Sequence, residues 1–377
     1  MPLPVDNDAL MAEGARQMGI CNSCRYCEGY CAVFPAMERR LEFAATDLNY
    51  LANLCHNCGE CYHACQYSPP HEFAINVPQM LGEIRARSYK TYAWPAAFAR
   101  LFDNNGVFVA FALMLGIAGI FLLATLAAGN GAALTQARAD GNFYAVLPHG
   151  TMAGVFGVVS LFVLAALIAG FVNFWRDAGE RLGEFTRPFA LYEALKDIAT
   201  LKNLDGDSQV GCTYPNDQPS QARRWFHHLT FYGFLLCFAA TCVGTIYHYA
   251  LGWKAPYGYL SLPVILGTVG GIGLLIGPAG LWWLKRKQDA TTATPSQAGM
   301  DAAFIALLFL TSLTGLALLA FRETAWMGSL LIVHLGAVLA LFVSLPYGKF
   351  VHGIYRGAAL VKFALEKRRP GLNLGSD

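Results

Sequence analysis

The cysteines are the residues of this chain with the clearest chemistry. Eight of the eleven fall into two arrays of identical spacing, Cys21-x2-Cys24-x2-Cys27-x3-Cys31 and Cys55-x2-Cys58-x2-Cys61-x3-Cys65. Three closely spaced thiolates can surround three corners of an iron–sulfur cubane, and the fourth cysteine of such a run ligates the other cluster. The spacing therefore predicts two [4Fe-4S] clusters, one held by Cys21, Cys24, Cys27 and Cys65, the other by Cys55, Cys58, Cys61 and Cys31.

A structural zinc domain is the alternative interpretation of the arrays. Zinc sites usually pair two C-x2-C knuckles, which two runs of four cysteines fit poorly. The proline that commonly follows the fourth cysteine is replaced by Ala32 and Gln66, which puts the local turn in doubt but not the ligands. Three nearby histidines are expected to face solvent or to support the ligands, and not to ligate, because the cysteines already complete both sites: His56, His63 and His71.

Histidines in two apolar blocks are the second chemical signal. They are His227, His228, His248, His334 and His352. Ionisable residues within membrane spans are costly and usually functional. On one continuous helix, His334 and His352 would project from the same face about five turns, or ~27 Å, apart. This pattern predicts axial ligands for one or two haem b groups, with interfacial hydrogen bonding as the alternative.

The inner pair is expected to join His352 to a histidine of the third block. Both His227 and His228 lie at the matching depth. On an ideal helix, His227 lies closer than His228 to the face that carries His248, which favours His227, although a bent helix would reverse that choice. The sequence leaves these two open.

An outer pair is expected to join His334 to a histidine at the opposite membrane surface. His248 lies at the corresponding depth in the third block, and His149, at the start of the second block, is the alternative.

Six apolar blocks must position these histidines. Hydrophobic residues make up 55% of the chain and charged residues 14%, and each block is long enough to cross a ~30 Å hydrocarbon core. The predicted spans are 106–128, 150–174, 226–250, 260–284, 301–321 and 326–348. The expected fold is an all-α bundle of six transmembrane helices behind an N-terminal two-cluster, ferredoxin-like α-helical domain. The expected divisions are 1–100 for the cluster domain, 101–355 for the haem domain with a loop at 175–225, and 356–377 for a tail.

Basic residues orient the bundle. They concentrate in the loop 175–225 and in the tail, whereas the opposite loops hold only Arg138, Lys254 and Arg322. The positive-inside rule then places both termini and the cluster domain on the cytoplasmic side of the membrane. The N-terminal sequence carries no recognisable secretion signal, which agrees with that orientation.

The remaining segments have simpler interpretations. Helical patterns are expected at Asp8–Met18 and through Phe34–Leu54, and residues 66–105 are expected to form a linker. Within that linker, the amphipathic stretch Met80–Tyr92 could lie along the membrane surface. The glycine-rich Leu266–Gly280 is expected to allow close helix packing and not to bind phosphate.

With both halves in view, the chain resembles the B proteins of tricarballylate and citrate utilisation over nearly its whole length. The resemblance rests on CNSCRYCEGYCAVFPAMERR, CHNCGECYHACQYSPPHEFAINVPQ, RRWFHHLTFYGFLLCFAAT and APYGYLSLPVILGTVGGIGLLIGPAG. The last span also resembles that of nitrate reductase gamma subunits, through His334, His352 and Leu345-Pro346. The family resemblance implies a partner FAD-dependent dehydrogenase that oxidises tricarballylate, and quinone as the electron acceptor.

Other functions fit less well. A net charge of +2 without a basic groove argues against nucleic-acid binding. A tricarboxylate transporter with a cysteine-rich sensor domain is the alternative function, but it should carry a cation at mid-membrane, and none is evident. The three scattered cysteines are weaker signals: Cys212 is expected to be a free thiol in a polar loop, and Cys237 and Cys242 small apolar residues of a span.

Overall fold

The computed structural model describes residues 7–128, 134–206 and 211–370. Those residues are mostly helical. In chain order the helices are α1 (Asn7–Cys24), α2 (Val33–Met37), α3 (Ala45–Leu54), α4 (Glu60–His63), α5 (Val77–Tyr92), α6 (Asn105–Ala128), α7 (His149–Asp177), α8 (Pro188–Thr200), α9 (Ala222–Tyr249), α10 (Leu262–Arg286), α11 (Ala298–Ala320), α12 (Met327–Ser344) and α13 (Val351–Glu366). A short antiparallel ribbon pairs β1 (Cys212–Thr213) with β2 (Pro219–Ser220).

Six of these helices are long and apolar enough to cross a membrane. They are α6, α7, α9, α10, α11 and α12, with mean hydropathy between 1.8 and 2.7 in their most apolar windows. They coincide with the six predicted spans, so the predicted all-α membrane bundle is confirmed. Much of their surface is exposed in the isolated chain, as expected for helices that face lipid.

Glycines set how closely these helices approach. A Cβ on Gly270 of α10 would lie 2.8 Å from the Gly233 carbonyl oxygen of α9. A Cβ on Gly116 of α6 would lie 2.7 Å from the Gly336 carbonyl oxygen of α12. The packing role predicted for the glycine-rich segment of α10 is therefore confirmed. Both the α9–α10 pair and the α6–α12 pair approach closely because glycine has no side chain.

The predicted linker is instead part of the core of the N-terminal region. Helix α5 packs against α1 and α3, and its Met80, Leu81 and Ile84 are completely buried. The amphipathic stripe is therefore covered by protein, and the expectation of a helix along the membrane surface is wrong. The apolar side chains do follow one face of α5, but an amphipathic pattern does not determine whether lipid or protein covers that face.

The predicted helix through Phe34–Leu54 is divided into α2 and α3. The segment between them turns so that Arg40 can donate to the Ala36 carbonyl and to Asp47, both at 2.6 Å. Asp47 also accepts the amide hydrogen of Ala44 at the start of α3. These side-chain bonds satisfy helix-end groups that a continuous helix would pair internally.

The last span does not continue to His352 as expected. Helix α12 ends at Ser344, a short 3-10 turn covers Leu345–Tyr347, and α13 begins at Val351. Proline lacks the amide hydrogen that an uninterrupted helix requires, and Pro346 lies in this turn. The premise that His334 and His352 share one straight helix is therefore wrong.

Helix α13 attaches the bundle to the N-terminal region. It packs against α3 and α8, and the expected boundary between residues 355 and 356 divides it. Its Glu366 accepts hydrogen bonds from Arg40 at 2.6 Å and Tyr50 at 3.0 Å in a buried network. Residues up to 370 of the expected tail are thus part of the folded structure, and residues 371–377 lie outside the described ones.

Candidate metal centres

The first cavity brings together four of the predicted cluster ligands. Cys21, Cys24, Cys27 and Cys65 line an open space of about 230 Å³. The first two end helix α1, where Arg25 takes a positive φ of 55° and turns the chain towards the third. Cys65 follows α4, from the other array. The set is the crossed combination that the spacing predicts.

The second cavity brings together the other four. Cys31, Cys55, Cys58 and Cys61 line it, so here too one thiol comes from the other array. Gly59 has a φ of 86°, and a Cβ on it would lie 2.7 Å from the Thr213 carbonyl oxygen. Cys61 lines both cavities, which are therefore adjacent.

The surroundings of the thiols fit an iron–sulfur group. Burial raises the pKa of Cys21 to about 12, and likewise that of Cys31 to about 12. Such thiols stay protonated at neutral pH unless cationic iron ionises them. Among residues 7–128, 134–206 and 211–370, no three His, Cys, Asp or Glu side chains are arranged to hold a single metal ion. The residues that suit an iron–sulfur cluster are the thiols that line the two cavities.

Three arginines bind the loop that begins the second array. Arg85 and Arg356 both donate to the Cys55 carbonyl, at 2.6 and 2.8 Å. Arg223 donates to the next two carbonyls, at 2.9 and 2.6 Å. The three side chains come from α5, α9 and α13, so the loop is held by both halves of the molecule.

Sequence reasoning missed these arginines and the position of Cys212. That thiol is 1% exposed and packs in one cluster with Cys58. The prediction of a free thiol is confirmed, and the β1–β2 ribbon buries it. The signal available in the sequence was that Arg223 lies four residues before His227, a spacing that places both on one face of a helix.

His227 and His352 form the inner histidine pair. Their ring centroids are 6.3 Å apart and their planes are 81° apart. Metal–nitrogen bonds of about 2 Å on each side of an ion would give a separation of this size. His352 Nδ1 donates to the Lys349 carbonyl at 2.5 Å, which leaves its other nitrogen free to ligate, as is usual for metal-bound histidines. These features fit an axial ligand pair.

Two further observations favour this pair as ligands. Burial and the neighbouring Arg356 hold the pKa of His352 well below its usual range, so the ring is neutral and able to bind a metal. His227 Nδ1 is buried without a hydrogen-bond partner. His228, the other inner candidate, faces elsewhere: its Nε2 lies 3.2 Å from the Ala199 carbonyl, and its ring contacts Tyr232.

The structure does not bring the expected outer pair together. The rings of His248 and His149 stack at 3.9 Å, with planes 9° apart, which leaves no space for a metal between them. His334 Nδ1 instead lies 3.1 Å from Thr314 Oγ1 of α11. A Cβ on Gly315 would lie 2.8 Å from the His334 ring. These three histidines remain predicted ligands, without a shared site in the described residues.

Comparison with known proteins covers both halves of the chain. Residues 105–373 match the family described as "Citrate utilization protein B", and residues 14–91 match its "Fer4-like domain". A curated relative, the citrate utilization protein B of Escherichia coli, is 54% identical over 358 residues, which are 95% of this chain and 93% of the relative. No solved structure matches the chain.

Proposed function

Because the chain belongs to the citrate utilization protein B family, we propose that it is a membrane electron-transfer protein. Two [4Fe-4S] clusters and haem b carry electrons from a partner flavoprotein dehydrogenase to quinone. The observation that carries this proposal is the gathering of eight cysteines around two adjacent cavities, in the crossed combination of a two-cluster ferredoxin, with Cys61 in the wall that the cavities share.

The positions of the cavities support an order of carriers. Tyr26, which lines the first cavity, is 64% exposed, so this side is accessible to a partner protein. Cys55 and Cys58 of the second cavity are buried. The second cavity is also joined to helix α13 through Arg356, one turn from His352. Electrons would therefore enter at the first cluster and leave from the second towards the histidine pair.

The chain's own residues would hold, orient and insulate the carriers. When bound, the clusters and haem supply one-electron redox chemistry, which splits the two electrons of a reduced flavin. Cys61 stands in the wall between the two cavities and keeps them adjacent. Phe34 and Val77 also line both cavities and exclude water there. The Lys349 carbonyl orients the His352 ring.

The finer parts of the proposal rest on the resemblance. They are an FAD-dependent dehydrogenase like tricarballylate dehydrogenase as partner, quinone as acceptor, and a bacterial inner membrane with the cluster domain and both termini on the cytoplasmic side. The family name also points to citrate use. The distribution of basic residues supports the orientation.

The test is the composition of the purified, full-length protein. We expect close to eight iron atoms and eight sulfides per chain outside haem, a b-type absorption band after dithionite reduction, and cluster signals in electron paramagnetic resonance. Reduction of the haem by a flavoprotein dehydrogenase with its substrate would complete the chain of transfer. A preparation with bound zinc and no sulfide would overturn the proposal and favour the transporter with a cysteine-rich metal domain.

A further inference from the structure

The second cysteine loop is surrounded by buried positive charge. We call Arg85, Arg223 and Arg356 the arginine clamp. All three guanidinium groups donate to the carbonyls of residues 55–57, at distances between 2.6 and 2.9 Å. Arg85 is 3% exposed, and the other two are partly buried. Charges in such surroundings are weakly screened by solvent.

Two members of the clamp belong to the helices that carry the inner histidine pair. Arg223 precedes His227 by four residues on α9, and Arg356 follows His352 by four residues on α13. Residues four apart lie on the same face of a helix. Each helix therefore presents one histidine to the pair and one arginine to the cysteine loop.

The first cysteine array has a different charge environment. Arg25, the arginine within it, is exposed and donates to the Asn22 carbonyl through Nε. An exposed guanidinium is screened by water and salt. The two cysteine arrays therefore differ in the positive charge around them: the arginine clamp binds the second array, whereas the first contains an exposed arginine.

We propose that the arginine clamp raises the reduction potential of the second cluster above that of the first. This inference rests on the proposed function, because it presumes that both cavities hold clusters. Reduction adds one electron to a cluster, and nearby buried positive charge stabilises that electron. Cluster potentials respond to net charge and to hydrogen bonds in this way. The consequence is a downhill step from the exposed cluster to the buried one, next to the histidine pair.

Two adjacent arginines on α9 provide the experiment. Arg223→Gln removes a charge that touches the cysteine loop. Arg224→Gln removes a charge from the next residue, whose guanidinium instead binds the Thr200 carbonyl and Asp205. Both full-length variants are titrated with redox mediators, and the two cluster signals are followed by electron paramagnetic resonance. A Cys24→Ser sample identifies the signal of the first cluster.

Arg223→Gln should shift the one-electron reduction equilibrium of the second cluster by at least tenfold towards the oxidised form, which is 59 mV. Arg224→Gln should shift it less than threefold, and the first cluster should keep its potential in both variants. Equal shifts in the two variants, or no shift in Arg223→Gln with the cluster present, would overturn the inference.

A charge-preserving variant covers the case in which Arg223→Gln loses the cluster. Arg223→Lys keeps the positive charge, so its second cluster should titrate within threefold of the unaltered protein. A tenfold shift in Arg223→Lys would contradict the inference. Iron and sulfide are measured first on the unaltered protein. Their absence there would reject the proposed function itself, and a loaded protein with unmoved potentials would reject only the role of the clamp.

Discussion

At the scale of single residues, the two cysteine sets depend on one thiol from each array that crosses to the other cavity. Cys31 lines the second cavity, although it belongs to the first array, and Cys65 lines the first. Thiolate ligands are not interchangeable between two adjacent clusters, because each cysteine is fixed by its own turn of backbone. Substitution of a single thiol should therefore report which cluster it serves.

Cys31→Ser should damage the second cluster and leave the first one intact. The physical reason is that serine is a poor ligand for iron in a cubane, and Cys31 is the thiol that completes the second set. The measurement is the iron content together with the two cluster signals in electron paramagnetic resonance. Cys24→Ser is the matched control and should remove the first cluster instead. Loss of the first cluster in Cys31→Ser would contradict the crossed ligation.

The neighbouring histidines of α9 allow a second test with a built-in control. His227→Ala and His352→Ala should each remove most of the haem that this pair would hold, because their rings face each other at 6.3 Å. His228→Ala should retain it, because that ring contacts the Ala199 carbonyl instead. The haem content is measured from the reduced pyridine complex. Full haem content in both His227→Ala and His352→Ala would show that these two histidines are not haem ligands.

At the scale of elements, close helix contacts replace the hydrophobic driving force that is missing within a membrane. Helices α6 and α12 meet where Gly116 faces Gly336. Such contacts permit backbone approach that larger residues prevent. Because α12 leads through the Pro346 turn into α13, its position also sets that of His352.

Gly116→Ala should destabilise the bundle, because the added Cβ would lie 2.7 Å from the Gly336 carbonyl oxygen. Overpacking of this kind typically costs about 1–3 kcal/mol. The control is Gly119→Ala on the same helix, where a Cβ meets nothing within 4 Å. Thermal unfolding in detergent should show a lower midpoint for the first variant only. Equal midpoints would show that the contact tolerates a methyl group.

At the scale of the whole molecule, the loop of the second array joins the N-terminal region to the bundle of apolar helices. Arg85 comes from the N-terminal region, whereas Arg223 and Arg356 come from a span and from the helix after the last span. The partly buried ion pair of Arg40 with Glu366 adds a second connection between the halves, at 2.6 Å. The cluster region is therefore bound to the bundle and is not tethered by a free linker.

The orientation of the whole molecule can be tested with reporter fusions. A reporter after Asp377 should be active in the cytoplasm, and one in the loop 129–142 should be active on the opposite side. The reason is the excess of Lys and Arg on one set of loops. Residues 371–377 and 129–133 lie outside the described residues, which leaves this prediction to the experiment. The reverse activities would overturn the cytoplasmic placement of the clusters.

The sequence by itself determined the elements with strong periodic signals. Cysteine spacing predicted the sets that the structure gathers into two cavities, and long apolar runs predicted six spans. Both signals are local, because a ligand loop or a span is defined by a few adjacent turns of chain. Helical phase relative to His248 on the third span also favoured His227 over His228, although His248 itself stacks on His149.

Only the tertiary structure decided which surfaces meet. The apolar stripe of α5 could face lipid or protein, and its periodicity is the same in both cases. The arginine clamp joins residues from three distant segments, and no spacing rule connects Arg85, Arg223 and Arg356. Likewise, His248 and His334 matched in depth along their helices, yet depth says nothing about which neighbours a helix faces. Such contacts depend on the packing of the whole chain, because they are made between elements far apart in sequence.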